Sequence, residues 1–144
     1  MQIQFESQPY SSIQADALVT YIFDKEDKIE GVLADLNSAM KDRLASLVSS
    51  GEVTGKPLSL TLIHFPEGVE AKRLLLIGAG KSDKFATADL RKIAGTAFRY
   101  LKNLGAKKIV FLAREGQRGA NAVRYVAEGL VIGDFESDKY KTDK

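Results

Sequence analysis

An apolar run that ends in Ile77-Gly78-Ala79-Gly80-Lys81-Ser82 holds the residues of this sequence whose types and spacing come nearest to a chemical device. Phosphate-binding loops are written with glycines followed by Lys and Ser or Thr. Backbone N–H groups must wrap the phosphate oxygens, and an ammonium group must reach them. The Walker pattern needs a glycine five positions before Gly80, where Leu75 stands inside an apolar, strand-like run. The dinucleotide pattern needs a third glycine where Asp83 stands. The next helical pattern begins near Thr87, so its positive end is not aimed at the glycines. A strand-exit turn is the favoured reading. Lys81 keeps a phosphate or ribose site open as the alternative, with Gly78, Gly80, Lys81 and Ser82 as its cofactor-binding residues.

The other candidates are thinner. His64 is the only histidine, at the end of the Leu58/Leu60/Leu62 alternation, and reads as a hydrogen-bonded strand-end residue. The carboxylate pairs Asp24/Asp27 and Glu26/Glu30 fall in a charged turn with nothing apolar beside them to shift a pKa. Arg114, Arg118 and Arg124 lie close in sequence and read as a solvated helix entrance, with a basic patch as the alternative. No cysteine is present, which removes disulfides, thiolate nucleophiles and thiolate metal sites. A net charge of +2, from 21 basic and 19 acidic residues, argues against nucleic acid as a partner. An adaptor reading would have to rest on Lys107, Lys108, Arg114, Arg118 and the tail lysines. The N-terminal stretch has no apolar signal region, and no apolar run approaches membrane-spanning length. These features lead us to expect a soluble, cytoplasmic domain.

The elements that must position these residues alternate between two periods. "MQIQFES", with Ile3 and Phe5 alternating, reads as a first strand, and Ala15 to Phe23 as a strand covered on both faces. From Ile29 to Val48 apolar residues recur at helical steps, with an interruption near Asn37-Ser38 where Ser38 could cap a second helix, and Gly51 stops the run. Leu58 to Phe65 and "RLLLIG" flank "PEGVEA" and predict an antiparallel hairpin. Thr87 is placed to cap a helix whose stripe is Leu90, Ile93, Ala94, Ala97, Phe98 and Leu101, with Asp89 in its first turn. "IVFLA" is another buried strand, and a last helix carries Val123, Val126, Ala127, Leu130 and Val131. Phe98 and Tyr125 fall in these helical patterns and read as packing residues. At 144 residues the chain fits one domain of the α/β class, a three-layer α/β/α sandwich with a mixed sheet. The final "ESDKYKTDK" is polar and aperiodic and reads as a linker or tail.

Several stretches together resemble the N-terminal domain of the leucyl aminopeptidase family (cytosol aminopeptidase, peptidase family M17). Gly78-Ala79-Gly80-Lys81 stands where that family has a Gly-x-Gly-Lys turn, and Arg91-Lys92-Ile93-Ala94-Gly95-Thr96-Ala97 matches its Arg-x-x-Ala-Gly-x-Ala helix. Ala127, Glu128, Gly129, Gly133, Asp138, Tyr140, Lys141 and Thr142 match its interdomain junction. Phe135 stands for a tyrosine there, and Ser137 replaces a phenylalanine. The resemblance implies a macro-domain-like fold over residues 1–134 and a linker over 135–144 toward a C-terminal catalytic domain. It implies a hydrolase that releases N-terminal residues from peptides, assembled as a hexamer, with two divalent metal ions, Zn or Mn, in that catalytic domain. This chain is then expected to hold no catalytic residue, no metal ligand and no cofactor, and to be inactive alone. Its partners are expected to be its own catalytic domain and further copies, with peptide substrate met only through the catalytic domain. A stand-alone macro-like module binding ADP-ribose or another nucleotide is the alternative.

Overall fold

The computed structural model describes residues 2–4, 13–25, 29, 31–114 and 119–142. Its centre follows from three runs with too little polar surface to face water on either side. These become strand β2 (Ala17–Ile22), buried throughout, β4 (Arg73–Gly78), buried from Leu74 on, and β5 (Ile109–Leu112), also buried throughout. β5 and β4 pair in parallel with the two sides of β2. β1 (Gln2–Gln4) adds in parallel to β5, and β3 (Leu60–His64) adds antiparallel to β4 as the expected hairpin. The result is a mixed five-stranded sheet in the order β1-β5-β2-β4-β3.

Alternation along β2 sorts the core into two layers. Leu18 and Ile22 join Val32, Leu33 and Leu36 of helix α1 (Gly31–Ala39) and Leu44 of α2 (Arg43–Ser49). Ala17, Val19 and Tyr21 join Leu90, Ile93 and Leu101 of α3 (Asp89–Asn103) and Val126 of α4 (Ala120–Thr142). The expected α/β/α sandwich is therefore present. Thr20 is the polar residue within β2, and its hydroxyl donates to the Leu112 carbonyl at 3.1 Å, so its burial leaves no unmet donor.

Several local expectations need correction. The helix break comes at Met40–Asp42, where Lys41 and Asp42 take left-handed φ of 55° and 66°. Ser38 lies inside α1, and its neighbour Asn37 does the capping: its Oδ1 accepts the Ala45 N–H at 2.8 Å. The N-cap of α3 is Ala88 rather than Thr87, and the Asp89 carboxylate reaches back to the Ala86 N–H at 2.9 Å. Leu58 is not in β3. Its φ of 60° puts it in the left-handed position of a bulge, where Leu58 N–H donates to the Gly78 carbonyl and Gly78 N–H to the Ser59 carbonyl. On α4 the buried line is Ala122, Val126 and Gly129, whereas Ala127 and Val131 face outward. The backbone of α4 is helical through Thr142, a conformation the polar, aperiodic sequence of residues 136–142 did not announce. Phe5 lies outside the described residues.

The outward turn of Ala127 and Val131 has a steric cause. A β-carbon at Gly129 would overlap the Arg91 carbonyl oxygen, and one at Gly95 would sit 2.9 Å from the Gly129 carbonyl oxygen. Backbone meets backbone there, so α3 and α4 touch more closely than helices separated by larger side chains. Around the contact Arg91 pairs with Glu128 at 3.0 Å, and the guanidinium groups of Arg91 and Arg124 lie 5.1 and 4.8 Å from the Tyr125 ring centroid. A second tie joins the starts of β2 and β5. The Asp16 carboxylate accepts the Lys107 and Lys108 N–H groups at 2.7 and 2.9 Å, with the Lys72 ammonium 3.7 Å away. The backbone bond from Lys108, then that from Lys107, holds the Asp16 pKa below its ordinary 3.8, and Lys72 adds to the effect.

Both ties make testable demands. Helix propensity alone would make Gly129→Ala stabilising by about 1 kcal/mol. The overlap reverses the sign, and urea denaturation should show a loss of about 1–3 kcal/mol. Gly119→Ala, with open space around its β-carbon, should change stability by less than about 0.5 kcal/mol. Asp16→Asn should lower the melting temperature at neutral pH. A depressed carboxylate pKa contributes stability above the unfolded value, and that stability is lost as pH falls through the folded value. The gap between wild type and variant should therefore close below pH 3.8.

Candidate functional site

In open α/β sheets ligands enter the crevice beyond the carboxyl ends of neighbouring strands whose connections leave to opposite faces. Here β2 leads to α1 and α2 on one face, and the adjacent β4 leads to α3 on the other. The crevice between Phe23-Asp24 and Ala79-Gly80 is therefore the candidate site, and the Gly78–Ser82 loop is at its mouth.

The chain itself fills this crevice. Gly78 N–H donates to Ser59, Ala79 N–H to Ile22 at 2.9 Å, and Gly80 N–H to Gly55 at 2.8 Å. The Gly80 carbonyl in turn accepts the Asp24 N–H at 2.8 Å. The three N–H groups that a phosphate would need are thus engaged with the chain's own carbonyls. Three glycines make room for this plug. A β-carbon at Gly78 would overlap the Lys56 carbonyl oxygen, and one at Gly55 would overlap the Phe23–Asp24 peptide. Gly80 takes a φ of 78°, open to glycine at little cost, with Pro57 packed 3.2 Å from where its β-carbon would be. Lys81 and Ser82 are exposed beyond the turn. Phe85 closes the following 3-10 turn (Ser82–Lys84) by packing its ring 5.7 Å from Tyr21 and 5.1 Å from Phe23.

Among the clefts beside the plug, two lie at the strand exits. One of about 500 Å³ is lined mainly by apolar groups, among them Ile22, Ala45, Val48 and Val53, with Asp24 and Lys25 as its charged residues. The other, of about 300 Å³, lies over Asp24, Pro57, Gly80, Lys81 and Lys84. Neither gathers the paired titratable groups that acid–base chemistry uses.

The remaining sequence candidates are dispersed. His64 is exposed at the end of β3. Asp24 is at the β2 exit, while Glu26, Asp27 and Glu30 lie outside the described residues, as does Arg118. Arg114 is a correction: it is neither a solvated helix entrance nor a surface cation, being only 7% exposed. Its guanidinium lies 5.4 Å from the Phe23 ring centroid and 5.9 Å from that of Tyr21, and Nη1 donates to the Tyr21 carbonyl at 3.5 Å. Lys107 and Lys108 serve Asp16 through their backbone N–H groups. Phe98 and Tyr125 pack against the α3/α4 side of the core, as expected. Among the described residues no three His, Asp or Glu side chains gather as a metal-ligating group. Sequence reading missed the plug and the Tyr21/Phe23/Phe85/Phe111 cluster. The only local sign of the plug was Thr54-Gly55-Lys56-Pro57, a turn motif.

The model of the cytosol aminopeptidase family's N-terminal domain matches residues 19–144. The chain belongs to that family. A probable cytosol aminopeptidase of Solibacter usitatus is 39% identical over 142 residues, 99% of this chain and 27% of the relative. One from Koribacter versatilis is 32% identical over 163 aligned positions, covering all of this chain and 32% of the relative. The chain thus spans about a third or less of the length of these curated relatives. Among solved structures, a mutant tomato leucine aminopeptidase aligns with a TM-score of 0.69 and 24% identity, over 96% of this chain and 29% of that one. The macrodomain of Mycobacterium tuberculosis DarG aligns with a TM-score of 0.63 and 15% identity, over 94% and 91% of the two chains. The fold of this cytosol aminopeptidase domain is therefore macrodomain-like. Its glycine signature acquires a physical meaning: Gly78 and Gly80 admit the plug, and Gly95 and Gly129 admit the α3–α4 contact.

Calorimetric titration with ADP-ribose up to 1 mM, roughly the weak end of ligand affinities, should give no binding heat, and Lys81→Ala should leave the trace unchanged. Gly78→Ala should lower stability by roughly 1–3 kcal/mol in urea denaturation, because the Gly55–Pro57 segment must move.

Proposed function

We propose that this chain works as the non-catalytic N-terminal domain of a cytoplasmic leucyl aminopeptidase, a metal-dependent exopeptidase that releases N-terminal amino acids from peptides. In this reading it supports assembly of a homo-oligomer, a hexamer, and shapes access to an active site built by a separate C-terminal catalytic domain. The single observation that carries the proposal is the family match from residue 19 to residue 144. The match includes the Ala127-Glu128-Gly129 segment and the Tyr140-Lys141-Thr142 end of α4.

Three features of the domain support it. The crevice at the β2/β4 switch point is filled by the chain's own Gly55–Ser59 segment. Among the described residues no three His, Asp or Glu side chains gather as a metal-ligating group. No helix among the described residues is long and apolar enough to cross a membrane. In the proposed full-length enzyme two divalent ions, zinc or manganese, supply Lewis-acid chemistry for peptide hydrolysis. The part played by this chain's residues is mechanical. α4, 23 residues long, measures about 34 Å and forms the stiff connection between the sandwich and the catalytic domain.

The purified chain, incubated with leucine p-nitroanilide and manganese or zinc, should release p-nitroaniline no faster than a protein-free control. Metal-dependent turnover that survives repurification would overturn the proposal.

A further inference from the structure

β2, β4 and β5 run the same way, so the chain leaves each of them at one edge of the sheet, the carboxyl edge. α4 starts from there after β5 and stays on the sheet face. Ala122 and Val126 lie in the core, and Gly129 lies against the Arg91 and Gly95 backbone. α3 starts from the same edge after β4, so the two helices run side by side in one direction. Beyond their contact α3 continues to Asn103 and α4 to Thr142, a longer stretch by about one turn. α4 therefore arrives at the opposite, amino edge.

That edge carries apolar surface that this domain does not use. Phe65 follows β3 where His64 pairs with Arg73 at the start of β4, and it is 76% exposed. Its φ of 49° lies in the left-handed region, which a bulky side chain seldom adopts. The turn that carries it is firmly seated. Phe65 N–H donates to the Lys72 carbonyl at 2.7 Å, and a β-carbon at Gly68 would overlap the Ala39 carbonyl oxygen. Leu104, at the end of α3, is 44% exposed at the same edge. Of the other exposed large apolar residues described, Val131 is on the flank of α4, and Leu60 lies opposite Ile77 toward the carboxyl edge. Charges of both signs surround Phe65 and Leu104. Lys41 pairs with Glu67 and Lys72 with Asp16, while Glu70, Arg73, Lys107 and Lys108 stand nearby. Charge selects no occupant for this edge; the path of α4 does.

We propose that the amino edge, with the β3–β4 turn and the end of α3, is the face on which the C-terminal catalytic domain of the same polypeptide docks. The proposal rests on the two-domain reading above and adds which surface is covered. This N-terminal domain spans about a third or less of the relatives it matches, so a large body of chain follows it in them. α4 delivers such chain to Phe65 and Leu104. The six-residue strands rise about 20 Å, which puts the plugged crevice on the side away from the docked domain. The β3–β4 turn, rather than the Gly78–Ser82 loop, is then the part of this domain nearest the catalytic one.

The full-length enzyme, assembled from isotope-labelled and unlabelled subunits, decides the matter with a short amine-reactive cross-linker. Lys72, Lys107 or Lys108 should be joined to lysines of the catalytic domain within one subunit, and Lys81 and Lys84 should not. In hydroxyl-radical footprinting Phe65 and Leu104 should be oxidised severalfold more slowly in the full-length enzyme than in the isolated chain. Phe65→Asn, with a residue that tolerates left-handed φ, should leave the melting temperature of the isolated chain unchanged. In the full-length enzyme it should lower the yield of those same-subunit cross-links at least about threefold. Cross-links to the catalytic domain from Lys81 or Lys84 overturn the proposal, as do links from Lys107 and Lys108 to other subunits only, or a Phe65 oxidised equally in both proteins. Any of these leaves the aminopeptidase-domain reading standing, whereas a polypeptide with no peptidase domain after this one would sink both.

Discussion

β2 and β4 meet water on neither face, and the rest of the molecule is arranged to keep it so. A strand with an apolar residue at nearly every position needs cover above and below. The chain supplies it by sending the connection after β2 to one face and the connection after β4 to the other. That divergence also opens a gap in the cover. Between the carboxyl ends of the two strands the helices cannot close the layer, and an open crevice would expose Ile22 and Ile77. The Gly55–Ser59 segment lies across this gap, hydrogen-bonding to the β4 exit at Gly78 and Gly80 and packing closely on the Phe23–Asp24 peptide at the β2 exit.

The plug occupies the backbone donors of a loop that has much of the vocabulary of phosphate binding. A phosphate site needs N–H groups that converge and have no protein partner. At Gly78, Ala79 and Gly80 the donors are present, but carbonyls of Ser59, Ile22 and Gly55 take them. Glycine is required in both cases because backbone must come close to something. In a phosphate loop that something is a ligand, and here it is another stretch of backbone. The Gly95–Gly129 contact repeats the logic between two helices, and the Arg91–Glu128 pair sits over it. That exposed pair contributes little by itself; the closeness of the helices is set by the missing side chains.

Much of the architecture was legible because it is governed by local periodicity. The alternation of Leu18 and Ile22 with Val19 and Tyr21, the stripe from Leu90 to Leu101, and the "PEGVEA" turn each announce an element within a few residues. Where the reading failed, a non-local contact had overruled a local preference. Thr87 is a good cap by type, yet the helix begins beyond it. Val131 belongs to an apolar pattern, yet Gly129 draws the neighbouring face of α4 inward. Arg114 follows a buried strand in a charged context, which suggests solvent. Its guanidinium instead covers the rings of Tyr21 and Phe23, which lie some ninety residues earlier, as its bond to the Tyr21 carbonyl shows.

The sequence by itself determined the class of fold, the order of strands and helices and the family, since these depend on side-chain types at fixed short spacings. The tertiary structure alone decided what the glycines are for, where Arg114 goes, and which strand is left at an open edge. These depend on which backbone atoms meet across separations such as the 91 residues between Asp16 and Lys107. A pattern written in adjacent residues carries no record of such distances.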